Sequence, residues 1–161
     1  MTVDEVKTCK FVFVQGDGSA IQHECEYKVS MDHRNGKSKK SQWTVSPDKE
    51  VDCFETNYEE FWCDVTHEEN SKVKAFGCLK ENGEAIVLGE NRFNEDVRIA
   101  RFIVYPSADL LKRQWHGYPS CYWRNDQDVP NSHYLNKWAD MNIITESDKK
   151  KILRGKRCRK L

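Results

Sequence analysis

Ala20-Ile21-Gln22-His23-Glu24-Cys25-Glu26-Tyr27-Lys28-Val29 alternates without a break. Ile21, His23, Cys25, Tyr27 and Val29 fall on one parity, and Gln22, Glu24, Glu26 and Lys28 on the other. Successive side chains of a strand point to opposite faces, so this period predicts a half-buried strand with the first set inward and a solvated, acidic outer face. Upstream, Lys10-Phe11-Val12-Phe13-Val14 reads as a partner strand. Gly16-Asp17-Gly18 reads as the turn between them, since these residues accept positive φ.

Downstream, the polar and basic run 30–41 reads as a mobile loop and Ser46-Pro47-Asp48 as a turn. Short apolar runs at 51–54 and 60–65 read as further strands. Asn82-Gly83 supplies two residues tolerant of a type I′ turn, which predicts a hairpin between 73–79 and 85–88. The stretch 97–105 is apolar on both parities in its second half, as a central strand covered on both sides would be.

After Pro106 the pattern changes. A short helix is expected over 108–114, then an aromatic loop through 123. Asp128 is placed to N-cap a helix with Pro130 in its first turn, running to about Met141 with Tyr134, Leu135, Trp138 and Met141 on one face. Asn142 is a left-handed stop, and Thr145-Glu146-Ser147-Asp148 has the form of a capping box opening a last helix up to Gly155. The expected fold class is therefore α+β in one domain of 161 residues. An antiparallel sheet of five to seven strands fills residues 9–105, mostly β, and two or three helices follow the aromatic loop in 106–161, ending in a basic tail.

Charge divides at the same place. Residues 1–105 carry 14 Lys or Arg against 20 Asp or Glu, and residues 106–161 carry 12 against 6, so a net charge of zero hides two halves of opposite sign. Such a distribution can orient a protein against a charged partner. The length suffices to bury about two-thirds of the unfolded chain's surface, and 18 aromatic residues, five of them Trp, argue against disorder. No apolar run approaches the ~20 residues that span a bilayer, so no membrane partner is expected. Met1 to Lys7 has no apolar run after a basic start, and the seven cysteines are odd in number and irregularly spaced. Free thiols in a reducing compartment follow, which places the chain in the cytoplasm, or in the nucleus of a eukaryote.

Four groups of residues are candidates for function. From Lys149 onward, Lys149, Lys150, Lys151, Arg154, Lys156, Arg157, Arg159 and Lys160 are accompanied by no acidic residue, a composition suited to binding phosphates or to a solvated tail. Trp115, Tyr118, Tyr122, Trp123, Tyr134 and Trp138 gather six aromatics in 24 residues. Trp115, Tyr118 and Trp123 are the members offered for stacking on nucleobases or anchoring a partner, and Tyr134 and Trp138 have the spacing of a core. His116 and His133, with Asp109, Asp126 and Asp128 to orient them and Arg113 and Arg124 to hold charge, would suit phosphodiester cleavage. A zinc site from His23 and Cys25 with Cys63 and His67 lacks the tight spacing of a structural knuckle, so neither a metal nor a cofactor is expected.

The two last helices with the turn 142–145 invite comparison with a helix-turn-helix. Glu146, Ser147 and Asp148 stand where base-reading residues belong, and phosphates would repel them. The function expected is binding, through the aromatic and basic C-terminal half, to nucleic acid or an acidic protein surface. A nuclease or nuclease-like toxin using His116 and His133 is the alternative.

Overall fold

The computed structural model describes residues 1–37, 39–67, 75–105 and 113–161. Strands β1 (Val6–Val14) and β2 (Ala20–Lys28) form the expected hairpin, with Val14 opposite Ala20 and Val6 opposite Lys28. Gly18 takes a φ of 84°, and Asp17 accepts hydrogen bonds from both the amide and the hydroxyl of Ser19. His23, Cys25, Tyr27 and Val29 are buried, and Gln22 and Glu24 are exposed, as the alternation requires. Ile21 departs from it, 39% exposed near the tip of the hairpin.

Helix α1 (Pro47–His67) replaces the strands expected at 51–54 and 60–65. Ser46 accepts from the amide of Lys49, Pro47 occupies the first helical position, and Asp48 and Glu50 sit in the first turn. That is a helix start: a hydroxyl cap, a proline whose missing donor costs nothing there, and carboxylates at the positive end of the dipole. Val51, Phe54 and Tyr58 recur at helical spacing and are buried.

Short strands follow: β3 (Gln42–Trp43) before the helix, then β4 (Ala75–Gly77), β5 (Lys80–Glu81), β6 (Glu84–Ala85), β7 (Gly89–Glu90) and β8 (Asp96–Val97) after it. β5 and β6 form a hairpin on the expected Asn82-Gly83 turn, at φ 52° and 83°, but its strands are these short ones inside the expected connection, and 75–77 pairs with Ala100–Phe102 instead of with 85–88. β3, β7 and β8 make a small sheet of their own. β9 (Ile99–Val104) and β10 (Gln114–Ser120) complete the main sheet in the order β1-β2-β10-β9-β4.

Two expectations about this sheet are corrected. The residues read as an aromatic loop form β10, which enters at the centre. The sheet is also mixed, because β10 runs parallel to β2, with Trp115 beside Tyr27, and antiparallel to β9. Loop-like residues Gly117 and Pro119 have strand roles here. A Cβ on Gly117 would lie 2.5 Å from the Phe102 ring and 2.9 Å from the Tyr27 hydroxyl, so its strand can only pack there without a side chain. The expected helix over 108–114 falls mostly on 108–112, outside the described residues.

α1 covers one face of the main sheet. Phe54 meets Tyr27, Phe102 and Trp115 edge-on at 4.7, 5.5 and 5.6 Å. Helix α2 (Ser132–Asp140) packs on the other face near β4, where Tyr134 meets Phe76 at 5.8 Å. Its cap is Asn131, not Asp128, which belongs to a turn of 3-10 helix over Asp126–Asp128. Asn142 takes a φ of 59°, and α3 (Glu146–Leu153) opens on the full capping box of Thr145 and Asp148. Helices are therefore not confined to the C-terminal third.

Candidate functional site

The run 30–41 is an organised loop over its described residues. Ser30 caps a turn of 3-10 helix over Met31–His33, and Nδ1 of His33 is 2.9 Å from the Ser41 carbonyl. Arg34 turns inward, donating to the Val45 carbonyl at 2.8 Å and to the buried carboxylate of Glu50. Gln42 is held from both sides of the loop, accepting from the Gly36 amide. These hydrogen bonds fix the loop against β3 and leave Lys37, Lys39 and Lys40 pointing into solvent.

Two clefts open along this loop. One, of about 510 Å³, is lined among others by Arg34, Lys37, Lys40, Trp43, Glu90 and Arg92. The other, of about 290 Å³, is lined by Lys39, Phe93, Tyr118, Cys121, Arg124 and Asp128 among others. Asn91 and Arg92 belong to both walls. Lys37, Lys39 and Arg92 are exposed and have no ion pair among the described residues, whereas Lys40 pairs with Asp32 at 3.2 Å.

Beyond the clefts the basic surface continues by stacking. The guanidinium groups of Arg92 and Arg124 lie 4.7 and 4.4 Å from the centre of the Phe93 ring, and Arg157 lies 4.4 Å over Trp123. Glu95 ties these together, accepting from Arg124 at 2.8 Å, Asn91 at 2.8 Å and Trp123 at 3.3 Å. The Arg124 guanidinium first, and the Asn91 amide after it, hold the Glu95 carboxyl down at about 2. The result is a band of cations mounted on aromatic rings, running from the C-terminal tail to the loop at 37–40.

The residues singled out in the sequence are spread over several places. Trp115 is wholly enclosed, edge-on to Phe54 and Tyr58, and offers no face for stacking, which corrects its assignment to a binding surface. Tyr118 lines a cleft, half-buried, with its ring stacked on His33 at 5.2 Å and its hydroxyl donating to Asp128. Burial, with the Asp128 charge beside it, pushes the Tyr118 hydroxyl up to about 12. Asp128 is held by Arg101 at 3.2 Å. Trp123 is half-buried under Arg157.

His116 stacks on Tyr105 at 4.8 Å, and burial, then the nearby His33, lower its pKa. Its Nδ1 is buried without a hydrogen-bond partner, and Asp109, one of the carboxylates expected to orient it, lies outside the described residues. His133 is exposed on α2 with its ring 3.9 Å from Tyr134, and neither cleft is lined by either of these histidines. Arg113 is half-buried with Nε unpartnered, and Arg124 is exposed, paired with Glu95 and laid on Phe93, whereas the two histidines lie against Tyr105 and Tyr134.

The tail is docked. Tyr122 accepts from the Cys158 amide at 3.0 Å, and Cys158 and Leu161 are 4% and 2% exposed. Arg157 also donates to the Asp96 carbonyl. Lys150, Arg154, Lys156, Arg159 and Lys160 remain exposed, and Lys149 is tied to Asn136 and Glu146. Of the metal candidates, His23 Nε2 is 2.5 Å from the Tyr58 hydroxyl, and the side chains of Cys63 and His67 lie outside the described residues. No group of three or more potential ligands stands together among the described residues, and no helix among them is long and apolar enough to cross a membrane.

Lys37, Lys39 and Arg92 do not stand out in the sequence, because a basic loop without periodicity looks like a solvated connection. The Asn-Arg-Phe-Asn run at 91–94 is the available signal: an arginine and an aromatic in a turn. The fold and this band together define an α+β domain with a cationic, ring-backed surface. No protein family, curated protein or solved structure matches the chain.

Proposed function

We propose that the protein binds single-stranded nucleic acid along the band from Arg157 to Lys37. One observation carries this reading: two clefts share a wall at Arg92, and their rims bear Lys37, Lys39 and Arg92 with no intramolecular ion pair among the described residues. Phosphates are the natural counter-charge for such cations, and their neutralisation releases condensed ions. The clefts have the size of a nucleotide-scale site. Guanidinium groups laid on Phe93 and Trp123 present flat cationic faces on which a base stacks. The exposed Lys156, Arg159 and Lys160 would extend the track. An acidic protein surface is the competing partner.

The phosphodiester-cleaving alternative draws less support. A general base needs an orienting partner, and Nδ1 of His116 has none among the described residues.

The test is binding of a labelled oligothymidylate across a salt series, beside double-stranded DNA and polyglutamate. Binding of the single strand that weakens with salt supports the proposal. Replacing Lys37, Lys39 and Arg92 with Gln together should flatten log K against log salt by ~0.7 for each phosphate no longer neutralised. No salt-dependent retention of any nucleic acid at low ionic strength overturns it, and retention of polyglutamate alone points to an acidic protein instead.

A further inference from the structure

Cys9 and Cys25 are directly opposite one another in the β1–β2 ladder, both on the inward parity and both 1% exposed. Residues directly opposed in an antiparallel pair have Cα atoms about 4.5–5.5 Å apart. That interval lies inside the roughly 4.4–6.8 Å that a disulfide spans without moving the backbone. The two strands therefore hold a dithiol already at bridging distance. We propose that Cys9 and Cys25 are a reversible redox site, closing to a cross-strand disulfide by exchange with a small-molecule disulfide such as glutathione disulfide.

The surroundings distinguish the two thiols. β1 is an end strand of the described sheet, and Cys9 Sγ is 3.5 Å from a Glu55 carboxylate oxygen whose side chain is one-third exposed. The same carboxylate takes Lys7 Nζ at 2.5 Å, so Cys9 is one hydrogen bond below the surface. Cys25 is on the inner strand, and its hydrogen bond with Cys9 and its burial push its thiol well above the ordinary range. Cys9 is thus the entry thiol and Cys25 the resolving one, because Cys9 lies on the end strand against a partly exposed side chain while Cys25 is enclosed on the inner strand.

The exchange balances. Cys9 loses its proton to water and attacks one sulfur of glutathione disulfide. The S–S bond of that molecule breaks, one glutathione thiolate leaves, and a mixed disulfide stands on Cys9. The Cys25 thiolate, its proton also released, attacks the Cys9 sulfur and expels the second glutathione. Two electrons pass to glutathione disulfide, yielding two glutathione molecules, and the protein carries one new S–S bond.

The other described cysteines are not so placed. Cys53 on α1 and Cys78 after β4 are neighbours, both held by the Asn57 amide, but no strand ladder sets their Cα atoms opposite one another. Cys121 is 3.4 Å from the Asn91 amide nitrogen, and Cys158 is 3.5 Å from the Tyr122 hydroxyl.

The full chain, folded, is equilibrated in glutathione buffers from fully reduced to fully oxidised, acid-quenched, alkylated with N-ethylmaleimide and digested with trypsin. The expected result is one cross-linked species, the peptide holding Cys9 joined to that holding Cys25, lighter by two hydrogens than the reduced pair. Its abundance should follow the buffer as a two-electron couple, returning to zero in excess glutathione. In Cys25→Ser the glutathione adduct should stop on Cys9. Alkylation of both thiols at every ratio, or a cross-link between other cysteines, overturns the proposal. If Cys25→Ser does not fold, the wild-type titration decides alone.

Discussion

Arg34 sets Nε at 3.1 Å and Nη2 at 2.9 Å from one oxygen of Glu50, a carboxylate with no exposed surface, while the other oxygen accepts from Tyr27 at 2.6 Å. One side chain thereby joins the cationic loop, the first turn of α1 and strand β2. Removing one partner of a buried pair leaves the rest desolvated and unpaired, so Glu50→Ala should cost about 3–5 kcal/mol in urea unfolding. Glu50→Gln, which keeps the shape and loses the charge, should cost less.

Burial outweighs Tyr27 and Arg34 and raises the Glu50 pKa from 4.5 to about 7. A carboxyl that holds its proton more tightly when folded stabilises the fold at low pH. This contribution is whole below about pH 4.5, declines as pH rises through about 7, and is flat above. His33 and His116, whose pKa values burial lowers, slope the other way. The urea midpoint of wild type minus that of Glu50→Gln, measured from pH 4 to 8, isolates Glu50 and should fall with rising pH. A flat difference refutes it.

Trp115→Ala should act through the core. The ring is fully enclosed between Phe54 and Tyr58. Its removal should cost about 3–5 kcal/mol of stability. Wherever the variant remains folded by circular dichroism, its oligothymidylate affinity should equal that of wild type.

Tyr122→Phe removes the acceptor of the buried Cys158 amide. An unpaired buried donor costs about 1–3 kcal/mol. The C-terminal segment should then gain amide hydrogen exchange and sensitivity to trypsin at Lys156 and Arg157, with the sheet amides unchanged. Equal protection in both proteins would show that the hydrogen bond is not what docks the tail.

The parts legible in the sequence are those written in local chemistry. The parity of His23, Cys25, Tyr27 and Val29, the Asn82-Gly83 turn, the Asn142 stop and the Thr145 capping box each depend on a few adjacent residues. α1 is legible in principle, through Ser46-Pro47 and the spacing of Val51, Phe54 and Tyr58, but its acidic residues break the apolar run into pieces the length of strands. β10 is not legible. Gly117 and Pro119 normally interrupt strands, and only the close approach of Phe102 and Tyr27 gives Gly117 its place. The site escapes for a related reason. Lys37, Lys39, Arg92 and Arg124 come from three separate segments, and no spacing along the chain brings together what the small sheet and the β10 turn assemble.

The central place of β10 sets an order on synthesis. β1 and β2 are made first and β4 and β9 later, yet each pair is only a two-stranded ribbon until residues 114–120 arrive between them. Such ribbons are marginal in water. A nascent chain that has emerged only as far as β9 therefore leaves the β2 edge unpaired and the rings of Phe54 and Tyr58 without Trp115 against them. Completion of the main sheet must wait for the last third of the chain, and until then its unpaired strand edges are open to any other chain that meets them.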